Sequence, residues 1–149
     1  RGLMLVRLAA ALALGALAPT AARADISTFC FWGIVTEGHA QVELCGDHLA
    51  PDREAAYVTL RSAVEAAIVE NTKLKSGETR ESIRTRLAAT DRRYRAMLSH
   101  DPQLLGTTCA PTDYAQMKTM LNHLTDPTTL DQSLVALKTP KDPFKGDCL

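Results

Sequence analysis

Aromatic residues are scarce in this chain, 5% of 149 positions, and neither sign of charge prevails, with 17 basic side chains against 17 acidic ones. The even charge excludes a cationic nucleic-acid binder and a disordered polyelectrolyte. After residues 1–24 the chain has no apolar run of the roughly 20 residues needed to cross a bilayer. It also lacks a C-x-x-C pair, a C-x-x-C-H haem attachment, a G-x-S-x-G elbow and an H-E-x-x-H helix, so the common signatures of zinc ribbons, c-type haem proteins, α/β-hydrolases and zincins are missing. What is present is a globular balance, 46% hydrophobic and 23% charged, at a length that leaves room for one domain.

The chain opens RGLMLVRLAAALALGALAPTAARA, with Arg1 and Arg7 ahead of an Ala/Leu-rich run and Ala22-Arg23-Ala24 at its end. We read 1–24 as a secretory signal peptide and 25–149 as the mature domain. Removing Arg1, Arg7 and Arg23 leaves 14 basic groups against 17 acidic ones, a net charge of −3. The expected location is therefore periplasmic or secreted, with no stable membrane span after cleavage. All four cysteines, Cys30, Cys45, Cys109 and Cys148, fall in the mature part. An even count in an exported chain implies two disulfides.

Residues 51–72 set Tyr57, Leu60, Val64, Ala67 and Ile68 at helical spacing, with Asp52 and Glu54 first and Lys73 and Lys75 last, which suits the helix dipole. Ser76-Gly77 interrupts, and a second helix over about 78–99 is expected to bury Ile83, Leu87, Tyr94 and Leu98 as the other arm of an antiparallel hairpin. The composition of 102–110 reads as a loop. Pro111 opens a third helix carrying Tyr114, Met117, Leu121 and Leu124, and Asp126-Pro127 opens a shorter fourth with Leu130, Leu134 and Leu137. The tail KDPFKGDCL is irregular unless Cys148 fixes it.

Residues 26–45 admit two readings. As a hairpin, Glu37-Gly38 would form the turn and Cys30 would face Cys45, leaving Cys109 for Cys148. As a helix over 27–45, Gly46 caps the end and Gly33 and Gly38 each cost up to ~1 kcal/mol. The helix is preferred, because a two-stranded ribbon with no third strand is weak alone. It also decides the disulfides: fifteen helical residues separate Cys30 and Cys45 by ~22 Å, beyond the ~7 Å a bridge tolerates. Following the bundle up and down then brings Cys45 to Cys109 and Cys30 to Cys148. The expected fold class is all-α, a single small helical bundle of four to five helices with two disulfides; the alternative is a short N-terminal β-hairpin plus helices.

Phe29, Phe31 and Trp32 crowd three aromatic rings into four positions, pointing to more than one helix face, and are the candidate contact patch for a partner or apolar ligand. Arg84, Asp91 and Arg95 share a stripe that could offer guanidinium forks to acidic groups, although mixed charges at this spacing also describe a solvated face. Met117, Met120 and His123 spread over too wide an arc for a shared metal, and His39 and His48 are too far apart for one, so both sets read as packing or solvated polar positions. No cofactor, metal or catalytic residue is assigned.

Cys109-Ala110-Pro111, Gln116, Leu121, Leu124, Pro127 and Cys148 in the last forty residues resemble the C-terminal half of small periplasmic Tai-type immunity proteins. The similarity covers under a third of the chain, leaves out the charged helical pair of 51–99, and implies an interaction protein without assigning any residue a role. The functional expectation is an exported, non-catalytic binding or interaction protein of a bacterial-type cell envelope whose partner is an envelope or secreted protein. Its alternatives are a small-ligand or metal carrier, an inhibitor or immunity-like protein and, last, a hydrolase.

Overall fold

The computed structural model describes residues 26–148; the expected signal peptide, 1–24, lies outside them. The described residues form six helices: α1 (Thr28–Leu44), α2 (Pro51–Asn71), α3 (Arg80–His100), α4 (Pro102–Thr108), α5 (Pro111–Leu124) and α6 (Pro127–Leu137). The all-α bundle is therefore what forms, with one helix more than the upper expectation. The hairpin alternative for 26–45 is excluded, since that segment is α1.

Local chemistry sets the ends of α1. Ser27 caps its start, its hydroxyl accepting from the Cys30 N–H at 3.0 Å. At the other end Gly46 adopts φ 78°, while its N–H donates to the Glu43 carbonyl and the Asp47 N–H donates to the Val42 carbonyl, the paired bonds of a Schellman stop. Between these ends α1 is covered on nearly every side, packing against α2, α3 and α5. Trp32, Val35, Ala40 and Val42 are buried, and so are the polar Thr36, His39 and Gln41. A helix enclosed in this way has no solvent stripe, which is why its sequence lacks one-sided periodicity. At Gly38 an added Cβ would lie 2.7 Å from the Met117 sulfur of α5, so this glycine permits the close approach of the two helices.

Helix α2 starts on Pro51 and buries Tyr57, Leu60, Val64, Ile68 and Val69. Its last carbonyls, Val69 and Thr72, accept from the Arg80 guanidinium at 2.5 and 2.6 Å, so the first residue of α3 caps the end of α2 across the turn. A reciprocal box between Thr79 and Ser82 opens α3. That helix buries Ile83, Leu87 and Leu98, whereas Tyr94, expected in the core, is half-buried.

The expected loop over 102–110 is instead largely helix α4. Asp101 supplies the reason, its carboxylate accepting from the Gln103 and Leu104 N–H groups at 3.0 and 2.9 Å, with Pro102 pre-set for a first turn. None of its residues is buried, so no apolar pattern announces it.

Two disulfides close the fold. Cys45 pairs with Cys109 at a Cα separation of 5.6 Å, and Cys30 pairs with Cys148 at 5.4 Å. The second draws the tail back along the start of α1. There the Phe29 N–H donates to the Pro143 carbonyl at 2.9 Å, the Ser27 N–H to that of Asp147 at 3.3 Å, and Lys141 Nζ to that of Ile26 at 3.2 Å. Among the described residues no helix is long and apolar enough to cross a membrane.

Candidate functional site

The tail strap does more than end the chain: it completes a groove. Helix α2 runs out at Asn71 with Ile68 buried one turn earlier; α3 returns past it with Ile83 and Leu87, also buried. These three form the floor of a groove of about 740 Å³ whose sides are Phe29 at the start of α1, Leu74 on the α2–α3 turn and Phe144 on the strap. Phe144 is 55% exposed and Leu74 39% exposed, both large apolar side chains left in water at its mouth. The Phe29 ring bridges strap and core, 5.3 Å from the Phe144 ring and 5.7 Å from that of Trp32, centroid to centroid. Beyond Phe29 a second depression of about 290 Å³ is lined by Trp32, Gly33, Ile34 and Glu37 together with the Cys30–Cys148 pair.

The groove rim is charged and uneven. Glu78 and Arg86 satisfy each other at 2.7 Å, and the Lys75 N–H with the Arg86 guanidinium holds the Glu78 carboxyl below the usual carboxylate range. The Asp142 carboxylate accepts from the Phe144 N–H at 2.9 Å. The side chains of Lys73 and Lys75, both exposed, have no acidic partner at ion-pairing distance among the described residues.

A second polar assembly lies beside the core. His39 is 5% exposed, which overturns its reading as a solvated position. Its Nε2 meets both Glu54 carboxylate oxygens, at 2.7 and 3.0 Å, and its ring stacks on Tyr57 at 3.7 Å. Nδ1 faces Glu43 at 3.6 Å, and Arg95 bonds that same carboxylate. From Arg95 the chain of contacts continues to Asp91 at 3.3 Å, then to Arg61 at 3.3 Å, then to Glu65 at 2.9 Å, which accepts from the Trp32 indole at 3.1 Å. Burial disfavours the Arg61 charge, but its hydrogen bonds to Tyr57 and Glu65 outweigh this and raise its pKa above the ordinary guanidinium value. The assembly ties α1, α2 and α3 together and pairs their buried polar groups, except His39 Nδ1, which is buried without a hydrogen bond.

The sequence-derived candidates thus part company. Phe29 belongs to the groove. Phe31 lies on another face, beside a small pocket lined by Ile26, Ser133 and Leu137. Trp32 is only 2% exposed and supports Phe29 from behind. Arg84 is exposed and pairs with Glu81 at 3.4 Å, whereas Arg95 and Asp91 are engaged in the internal assembly, so the three do not form one free stripe. Leu74, Phe144, Lys73 and Lys75 were missed. The available signals were an apolar residue between two lysines just past a helix end, and an aromatic residue in an otherwise polar tail tethered by a cysteine. Among the described residues no group of three or more His, Cys, Asp or Glu is placed to hold a metal ion.

Set against protein families, curated proteins and solved structures, the chain matches none of them.

Proposed function

We propose that this is an exported, non-catalytic binding protein of the cell envelope, and that the groove between α1, α2, α3 and the tail strap holds its partner, an envelope or secreted component. One observation carries the reading: Phe144, on a strap fixed by the Cys30–Cys148 disulfide, and Leu74, on the α2–α3 turn, stand exposed over an apolar floor. Exposed apolar side chains gathered at a concave site are a recurring mark of binding surfaces. Two disulfide pairs suit an oxidising compartment, in keeping with the leader expected from the sequence. An inhibitor or immunity-like role is one form of this reading.

The test is retention from a cell-envelope extract by the oxidised protein and by its Leu74→Asp/Phe144→Asp variant. Both positions are exposed enough for the fold to survive, which circular dichroism and a melting curve would verify. Species held by the parent and released by the variant support the groove. Equal retention by both proteins removes it as the binding surface.

A further inference from the structure

We infer that the groove takes a free single-chain anionic amphiphile, an acyl chain ending in a carboxylate, with the chain on the apolar floor and the carboxylate at Lys73 and Lys75. This rests on the binding-protein reading and names the class of what is bound.

Size is the first argument. At about 740 Å³ the groove falls within the roughly 300–1,000 Å³ of small-molecule sites. A stable protein interface needs roughly 1,200 Å² or more of buried surface around an apolar centre. Here only Leu74 and Phe144 are large, exposed and apolar at the groove; the others, Val58, Met97 and Val135, do not line it. The apolar surface is thus a confined slot within a polar surround.

The second argument is the division of the slot. Ile68, Ile83 and Leu87 make a continuous floor, with 0, 3 and 5% of each exposed, and Phe29 and Phe144 close its strap side. An unbranched chain suits a floor of this kind, each buried methylene contributing about 0.8 kcal/mol in transfer terms, or up to about fourfold in affinity. The charge lies on the rim, three cations, Lys73, Lys75 and Arg86, against two acids, Glu78 and Asp142. Arg86 is matched by Glu78, which also attracts Lys75 from beyond ion-pairing distance; Lys73 and Lys75 beside Leu74 leave the rim one surplus positive charge, so the charge it lacks is a negative one. A cationic headgroup would meet two like charges there.

Amide-resolved NMR titration of the oxidised protein with dodecanoate, and with dodecyltrimethylammonium as its cationic counterpart, tests this below the concentrations at which either forms micelles. Dodecanoate is expected to give saturable shifts centred on Phe29, Leu74, Ile83 and Phe144. Decanoate should bind up to about fifteenfold more weakly for its two missing methylenes. A Lys73→Ala/Lys75→Ala variant, altered only at exposed positions, should weaken dodecanoate about fivefold, the size expected of two exposed charge contacts, without weakening the cationic compound. Three results would overturn the inference: no saturable shift in the groove, equal affinity for the two headgroups, or unchanged dodecanoate affinity in the lysine variant. If dodecanoate fails while the Leu74→Asp/Phe144→Asp variant still loses an envelope protein, the occupant is a protein segment; this inference then falls and the binding-protein reading stands.

Discussion

The rings of Phe29 and Phe144 meet at 5.3 Å, tilted by 42°, although they come from opposite ends of the described chain. Their meeting depends on the strap, whose disulfide to Cys30 lies one residue from Phe29 and whose Pro143 carbonyl accepts the Phe29 N–H. The groove is therefore built by chain closure as much as by helix packing.

That dependence separates the two disulfides. In loop-entropy terms the bridges close loops of 118 and 64 residues, and each contributes up to about 4–5 kcal/mol. Urea unfolding of Cys30→Ser/Cys148→Ser and of Cys45→Ser/Cys109→Ser should show comparable losses. Only the first pair of substitutions should also abolish groove binding under conditions where both variants remain folded. Loss of binding in the second pair alone would contradict the role given to the strap.

The two interior glycines of α1 should respond in opposite directions. An added Cβ at Gly33 would meet only the Glu37 carboxylate, at 3.9 Å, so Gly33→Ala should stabilise by about 0.5–1 kcal/mol through helix propensity. At Gly38 the same methyl would stand 2.7 Å from the Met117 sulfur and 3.4 Å from Leu121, and Gly38→Ala should destabilise by about 1 kcal/mol or more. Denaturation midpoints measure both, and a matching gain at the two sites would mean that α1 and α5 are farther apart than described.

His39 should prove a structural anchor rather than a surface residue. Glu54→Gln, which keeps the shape but removes the charge opposite Nε2, is expected to cost about 1–2 kcal/mol. His39→Ala should cost more, since it also leaves the Tyr57 face without its stacked ring. Chemical denaturation of the two variants checks the order; a neutral His39→Ala would count against the buried assembly.

Acid and alkali should act on one contact at the Cys45 end of the bundle. Asp47 accepts from Lys118 and from the Tyr114 hydroxyl, and these bonds, Lys118 first, hold its carboxyl well below the usual range. A depressed acid stabilises the fold above its ordinary value of about 3.9, and this contribution fades as pH falls toward the folded value. Tyr114 is pushed up to about 12 by burial and then by Asp47. Its contribution is present below the ordinary phenol value of about 10 and is lost as pH rises through about 12. In Asp47→Asn the acid decline should flatten and the phenolate absorbance step near pH 12 should move down; an unmoved step would show that Tyr114 is not the group titrating there.

Much of the frame was legible from spacing and punctuation. The prolines at 51, 111 and 127 open helices, Gly46 and Gly77 take the positive φ their turns require, and the up-and-down course of the helices brings Cys45 to Cys109. Helix α1 was ambiguous because burial on nearly every side erases the stripe that identifies an amphipathic helix, and α4 was missed because it buries nothing. The site was less legible. Phe29 stood out as one of a cluster, but which of three neighbouring rings borders a groove depends on a strap more than a hundred positions away, and no local pattern encodes that. His39 was misjudged for the same reason: Glu54 and Tyr57, which enclose it, come from another helix.

The most direct test of the groove is amide hydrogen exchange on the oxidised protein before and after it has taken up its envelope component. The account predicts new protection over 68–90 and 141–148, where floor, turn and strap lie, with α5 and α6 unchanged. Protection confined to α5 and α6, with those two segments exchanging as before, would place the partner on another face and contradict it.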